Sequence, residues 1–147
     1  MPIVTDTGFA PDDLNATFAP VDDMPANGPM AVDVASDADL APLLARLDEA
    51  HVIRVAFPSS ADGRGFTIAR ELRRAGYTGR LRAEGHVIAD QYAMARRSGF
   101  DEVEISDDLA ARQPEAQWRA RADWQAHDYQ ARLGRVRDTS AELTASA

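Results

Sequence analysis

The sequence predicts an α/β domain built on a short parallel sheet of about four strands made from βα repeats. It resembles half of a TIM-type barrel with a C-terminal helix added. Three observations predict it. Short apolar strand candidates alternate with helical segments at tight joints, the pattern of successive βαβ units. The strand candidates also carry one apolar and one charged set. Val32, Val34, Ile53, Val55, Phe57, Leu81, Ala83, Val103 and Ile105 alternate with Asp33, Arg54, Arg80, Arg82, Glu84, Glu102 and Glu104. Strands of a doubly wound sheet are buried on both faces and read as continuous apolar runs, which these do not. Finally, right-handed crossovers between strands laid down in sequence order put every helix on one side. A flavodoxin-like doubly wound sheet is the alternative, because alternation over four residues is a short signal.

Taken in order, residues 1–30 form an irregular N-terminal arm. They are rich in Pro, Asp and Gly and lack periodicity, with Phe9, Leu14 and Phe18 available to pin them to the body. The βα core spans 31–109. Residues 31–34 are a short strand. Ser36 or Asp37 then caps a helix with Leu40, Leu43, Leu44 and Leu47 at helical spacing. Residues 51–57, rich in β-branched side chains and ending before Pro58, are the clearest strand. A loop rich in Gly leads to a helix over 66–75 that Gly76 stops. Residues 79–85 make the third strand, 88–98 the third helix with Gly99 behind it, and 102–105 the fourth strand. A C-terminal helix is expected over 110–133, started by Pro114 and carrying Trp118, Ala122, Gln125, Tyr129 and Leu133 as its stripe. Residues 134–147 lose the pattern and are expected to fray.

Composition narrows the chemistry. The chain has 147 residues and a formal charge of -8, which disfavours nucleic acid and anionic membranes as partners. All 16 basic residues are Arg, and the absence of Lys excludes a Schiff-base lysine and the Walker A loop. The absence of Cys excludes disulfides, thiolate chemistry and cysteine metal sites. No cofactor is indicated. No apolar run approaches the roughly 18 residues that span a bilayer, and the first residues lack the pattern of a signal peptide, so a cytoplasmic protein is expected.

Open parallel sheets bind ligands outside the carboxyl ends of their strands. That edge gathers the candidate site residues Asp62, Gly63, Arg64, Gly65, Arg82, His86, Asp90 and Gln91. Asp62 to Gly65 precede a helix N-terminus, where free N–H groups and an Arg suit an oxyanion. In the plainer reading Asp62 caps the turn, the glycines supply positive φ, and Arg64 pairs with Asp90 or Glu84. His86 and Asp90 lie four residues apart but lack a third ligand, so no metal site is expected. Asp62 and Asp90 are a possible carboxylate pair for acid–base work. Arg70, Arg73 and Arg74 form a basic stripe beside Arg80 and Arg82, either a solvated face or a dock for an acidic partner.

Several of these segments together resemble a bacterial family of unknown function: Phe57-Pro58, the run from Asp62 through Arg73, Gly79 through Ala83, Gly85, Asp90-Gln91, and Gly99 through Asp101. The resemblance covers roughly 31–105. Genes of that family lie in sulfur-assimilation operons beside assimilatory sulfite reductase, and members are sometimes labelled oxidoreductases. The resemblance implies an accessory protein of sulfate or sulfite reduction that acts with sulfite reductase or its electron donor. It marks Asp62, Gly63, Arg64, Gly65, Arg70, Arg82, Gly85, Asp90 and Gln91 as motif positions. Two positions depart from the family: His86 replaces its usual Asp, and Ser98 stands where Cys is frequent. Two other readings remain open here. One is a small oxyanion-binding enzyme or carrier using Asp62, Arg64 and Asp90. The other is a structural half-barrel that associates with itself as a homo-oligomer.

Overall fold

A computed structural model describes residues 1–125. The chain forms a mixed α/β domain around one seven-stranded, mostly parallel sheet. Its strands are β1 (Ile3–Thr5), β2 (Gly8–Ala10), β3 (Phe18–Pro20), β4 (Met30–Val34), β5 (Ala50–Phe57), β6 (Arg80–Gly85) and β7 (Glu102–Glu104). Strands β3 to β7 lie side by side in sequence order, each parallel to the next. The order never reverses, as it would in a doubly wound sheet. β1 pairs antiparallel with β7, and β2 antiparallel with β1.

The sheet is larger than the four strands expected, and the addition comes from the first thirty residues. These are not an irregular arm: three of the seven strands lie within them. Each is only three residues long and borrows its register from a neighbouring edge, so none shows a period of its own. β2 and β3 lie at opposite edges of the sheet. The segment 11–17 that joins them must therefore cross one of its faces.

The helices α1 (Ala41–Leu44), α2 (Arg64–Arg74) and α3 (Tyr92–Ser98) follow β4, β5 and β6, and α4 (Asp107–Arg112) and α5 (Glu115–Arg119) follow β7. α2 carries Phe66, Ile68, Ala69 and Leu72 inward at helical spacing. Gly99 ends α3 in the left-handed conformation at φ 119°. The C-terminal region corrects the expectation of one helix over 110–133. α4 begins earlier, capped by Ser106, whose Oγ accepts from Leu109 N–H at 3.1 Å. It stops at Gln113, which leaves the helical conformation (φ -126°, ψ 86°) before Pro114. The separate helix α5 then ends at Arg119. Tyr129, Leu133 and the tail 134–147 fall outside the described residues.

The two side-chain sets separate across the sheet. Val32, Val34, Ile53, Val55, Phe57, Leu81, Ala83, Val103 and Ile105 join one continuous core with α2, α3 and Trp118. Trp118 is buried and meets Tyr92 edge to face, with ring centroids 6.3 Å apart. Ser98 is buried in α3, and its hydroxyl is without a hydrogen-bond partner among the described residues.

The charged set forms ranks across the opposite face. Register places Asp33, Arg54, Arg82 and Glu102 in one row and Glu84 beside Glu104 in the next. Arg82 is fully buried, and Glu102 and Glu104 are each 5% exposed. Arg82 donates to Glu102 at 2.5 Å and to Glu104 at 2.8 Å, while Arg54 grips Asp33 through two bonds of 2.7 and 2.9 Å. The segment 11–17 crosses here as a strap. Asp12 accepts two bonds of 3.2 Å from Arg82, and Asp13 accepts from Arg80 at 2.6 Å. At the far end of the strap, Phe18 lies under the Arg54 guanidinium, 4.0 Å from its ring centroid.

Candidate strand-end site

Of the eight candidate residues, Arg82 does not lie at the strand ends at all. It is the hub of the polar sheet face, with three carboxylates around its guanidinium. Burial alone would push its pKa down, but the bonds to Asp12, Glu102 and Glu104 outweigh that and hold it charged. Four of its five N–H groups donate to these carboxylates, and the side chain is fully buried, so it presents no donor to a ligand at the surface.

Asp62, Gly63, Arg64 and Gly65 do lie together, in the joint between β5 and α2. The guanidinium of Arg64 turns back on Asp62, with bonds of 2.9 and 2.7 Å, and the Arg64 N–H adds a third at 3.1 Å. The side-chain bond, then the backbone bond, bring Asp62 down to about 2. Arg64 therefore pairs within its own loop rather than with Asp90 or Glu84. The glycines do not supply positive φ either. Gly63 sits at φ -84° with open space where a Cβ would be. Gly65 is required for a different reason: a Cβ there would overlap the Phe57 ring.

Asp90 is exposed and accepts from Arg121 at 2.7 Å. No hydrogen bond joins it to His86, Asp62 or Arg64 among the described residues. Nor, among the described residues, does any group of three His, Asp or Glu converge in a way that could hold a metal ion. Arg73, one of the basic stripe, is a staple. It donates to the carbonyls of Tyr77, Gly79 and Gly99 and to Asp101, closing the turn behind α2 against α3.

Gln91, His86 and Gly85 do build something. At the end of β6, Gly85 turns at φ 116°, and a Cβ there would stand 2.6 Å from the Phe57 carbonyl oxygen. That close approach lets His86 N–H donate to the same oxygen at 2.9 Å, holding the His86 backbone beside the end of β5. Gln91 spans the two loops. Its amide nitrogen donates to Ser60 O at 2.6 Å, and its amide oxygen accepts from Ile88 N–H at 3.1 Å. From the next strand end, Gln113 Oε1 accepts from Ala89 N–H at 2.7 Å, and the Gln113 carbonyl accepts from Trp118 Nε1 at 2.9 Å.

The loops after β5, β6 and β7 are thus cross-tied around a cleft of about 360 Å³. Ser60, His86, Ile88, Leu109, Arg112 and Gln113 line it. Sequence reasoning found His86 and the supporting Gln91 but missed Arg112 and Gln113. The available signal was Ser106: a helix cap directly after the last strand brings the following helix to the same edge.

The family model described as a bacterial protein of unknown function (DUF934) matches residues 31–139. No curated protein and no solved structure matches the chain. Among the described residues, no helix is long and apolar enough to cross a membrane.

Proposed function

We propose that this chain, which belongs to the DUF934 family of bacterial proteins, is an accessory protein of assimilatory sulfate or sulfite reduction. In this reading it acts with sulfite reductase, or with that enzyme's electron donor, through its strand-end edge. The operon setting implied by the sequence resemblance names the partner. The observation that favours recognition over independent chemistry is the state of the ionisable groups. Asp62 is held by Arg64, Asp90 by Arg121, and Arg82 by three carboxylates. Neither member of the Asp62–Asp90 pair expected at the strand ends is left to share a proton with the other, while the cross-tied loops offer a fixed surface. The finer fold reading belongs here too. Parallel strands in sequence order, with one apolar and one polar face, resemble half of a TIM-type barrel, whose loops at the carboxyl ends carry the site.

Mixing the purified full chain with assimilatory sulfite reductase, at roughly 10 µM each in low salt, tests the reading. Co-elution on size exclusion that weakens as salt rises is the expected result. Separate elution at the lowest salt, with no binding detected to the electron donor either, overturns it.

A further inference from the structure

The strand-end cleft differs in chemistry from the other recesses of the described residues. A cleft of about 400 Å³ beside β4 is lined by Asp22, Asp33, Asp37 and Asp39. Three further clefts each carry carboxylates: Glu71 in the groove between α1 and α2, Asp107 near the N-terminus, and Asp48 beside Pro29. The strand-end cleft is lined by none, in a chain with 24 acidic residues. Its polar lining consists of groups that can donate.

Their donors are also uncommitted. Gln113 spends its oxygen on Ala89, which fixes its amide nitrogen as the free end. Ser60 is held through its carbonyl by Gln91, which leaves its hydroxyl without a partner among the described residues. His86 is placed by its backbone, and its ring makes no hydrogen bond there. Among the described residues Arg112 meets only Asp108, one helical turn away at 3.4 Å, with both side chains largely in solvent. Such a surface pair contributes little and yields readily to a competing anion. The remaining lining, Ile88 and buried Leu109, is apolar.

We propose that this cleft binds a small organic oxyanion, a metabolite with a phosphate, sulfate or carboxylate head and a compact apolar body. The head takes donors from Arg112, His86, Ser60 and Gln113, and the body lies on Ile88 and Leu109. The cleft volume is at the small end of the range for metabolite sites. Converging charge-assisted bonds supply the attraction, and at physiological salt the repulsion from distant acids is screened beyond about 8 Å. The proposal stands apart from the partner reading, because it needs no second protein.

Calorimetric titration of the full chain with phenyl phosphate, benzoate, inorganic phosphate and inorganic sulfate tests it. Phenyl phosphate is expected to bind roughly tenfold more tightly than inorganic phosphate, since only it covers the apolar floor. Arg112→Ala and His86→Ala should each weaken binding roughly tenfold or more. Ser60→Ala should weaken it less, and Arg64→Ala should leave it unchanged. All four side chains are at the surface, and an unaltered unfolding midpoint without ligand confirms that each variant is folded. Absence of binding by every probe up to about 10 mM overturns the proposal, because a functional ligand at that concentration shifts the equilibrium measurably. Binding that survives both Arg112→Ala and His86→Ala overturns it equally. Equal affinity for inorganic and phenyl phosphate overturns the assignment to an organic ligand in favour of a free inorganic anion.

Discussion

The polar face of the sheet and the strand-end edge are both rich in charged and polar side chains, and they use them in opposite ways. On the sheet face, three arginines meet carboxylates within the protein, and the strap adds Asp12 and Asp13 to close the top. Charge there is spent on holding β4, β5, β6 and β7 in register and fastening the N-terminal segment across them. At the edge, the backbone does the holding, through Gly85, Gln91 and Gln113, and side-chain donors are left over. The difference shows that a dense charge pattern is a poor guide to a binding site. What matters is whether each charge already has a partner.

The largest expected effect breaks the sheet-face network. Arg82→Ala leaves Glu102 and Glu104 buried without their shared cation, although Arg80 and Arg54 still touch them. A loss of about 3 kcal/mol is expected, read as a lower urea midpoint. Replacing the trio together (Arg82→Met, Glu102→Leu and Glu104→Leu) removes the desolvation along with the pairing and should restore most of that stability. If the single variant is as stable as the parent, the face is a solvated surface rather than a closed network.

The next effect contrasts two glycines that the sequence marks alike. Gly85→Ala must hold φ 116° and bring a Cβ against the Phe57 carbonyl oxygen, so a cost of about 2 kcal/mol is expected together with displacement of His86. Gly63→Ala meets open space at φ -84° and should be neutral or stabilising by less than about 1 kcal/mol. Thermal unfolding of both variants decides the matter. Similar midpoints would mean that the end of β6 relaxes freely and does not position the edge.

The four central strands are legible because 51–57 is long and β-branched and the others repeat its in-and-out alternation. The polar face is legible for the same reason. The strap is not. Asp12 and Asp13 look like ordinary turn residues, and the partners that give them meaning, Arg82 and Arg80, lie about 70 residues on. The edge is legible only in part. His86 and Gln91 sit in the loop region that strand polarity predicts, but Arg112 and Gln113 arrive from beyond β7, where the sequence reads as one long helix. Asp62 and Arg64 are over-read for the opposite reason. Their adjacency suggests a receptor for an anion, and the same adjacency lets them satisfy each other.

The smallest expected effects separate two acids of the sheet face by the sign of their pH dependence. Burial raises Asp12, but the bond from Arg82 and the N–H of Leu14 bring it below its ordinary value. Its contribution is therefore fully present above about pH 4 and lost as pH falls further. Asp12→Asn should lower stability at pH 7 by less than about 1 kcal/mol, with the deficit shrinking in acid. Glu84 behaves in reverse. Burial, then the neighbouring Glu104, raise its pKa, so its ionisation opposes folding. Glu84→Gln should raise stability at pH 7, with the gain vanishing below about pH 4.5, where the unfolded chain too is protonated. Urea titrations of both variants at pH 7 and pH 3 give four midpoints. If both Asp12→Asn and Glu84→Gln raise the midpoint at pH 7, the strap is not held by the arginines, and the acids of this face act as a single repulsive cluster; if both lower it, Glu84 is not repelled there.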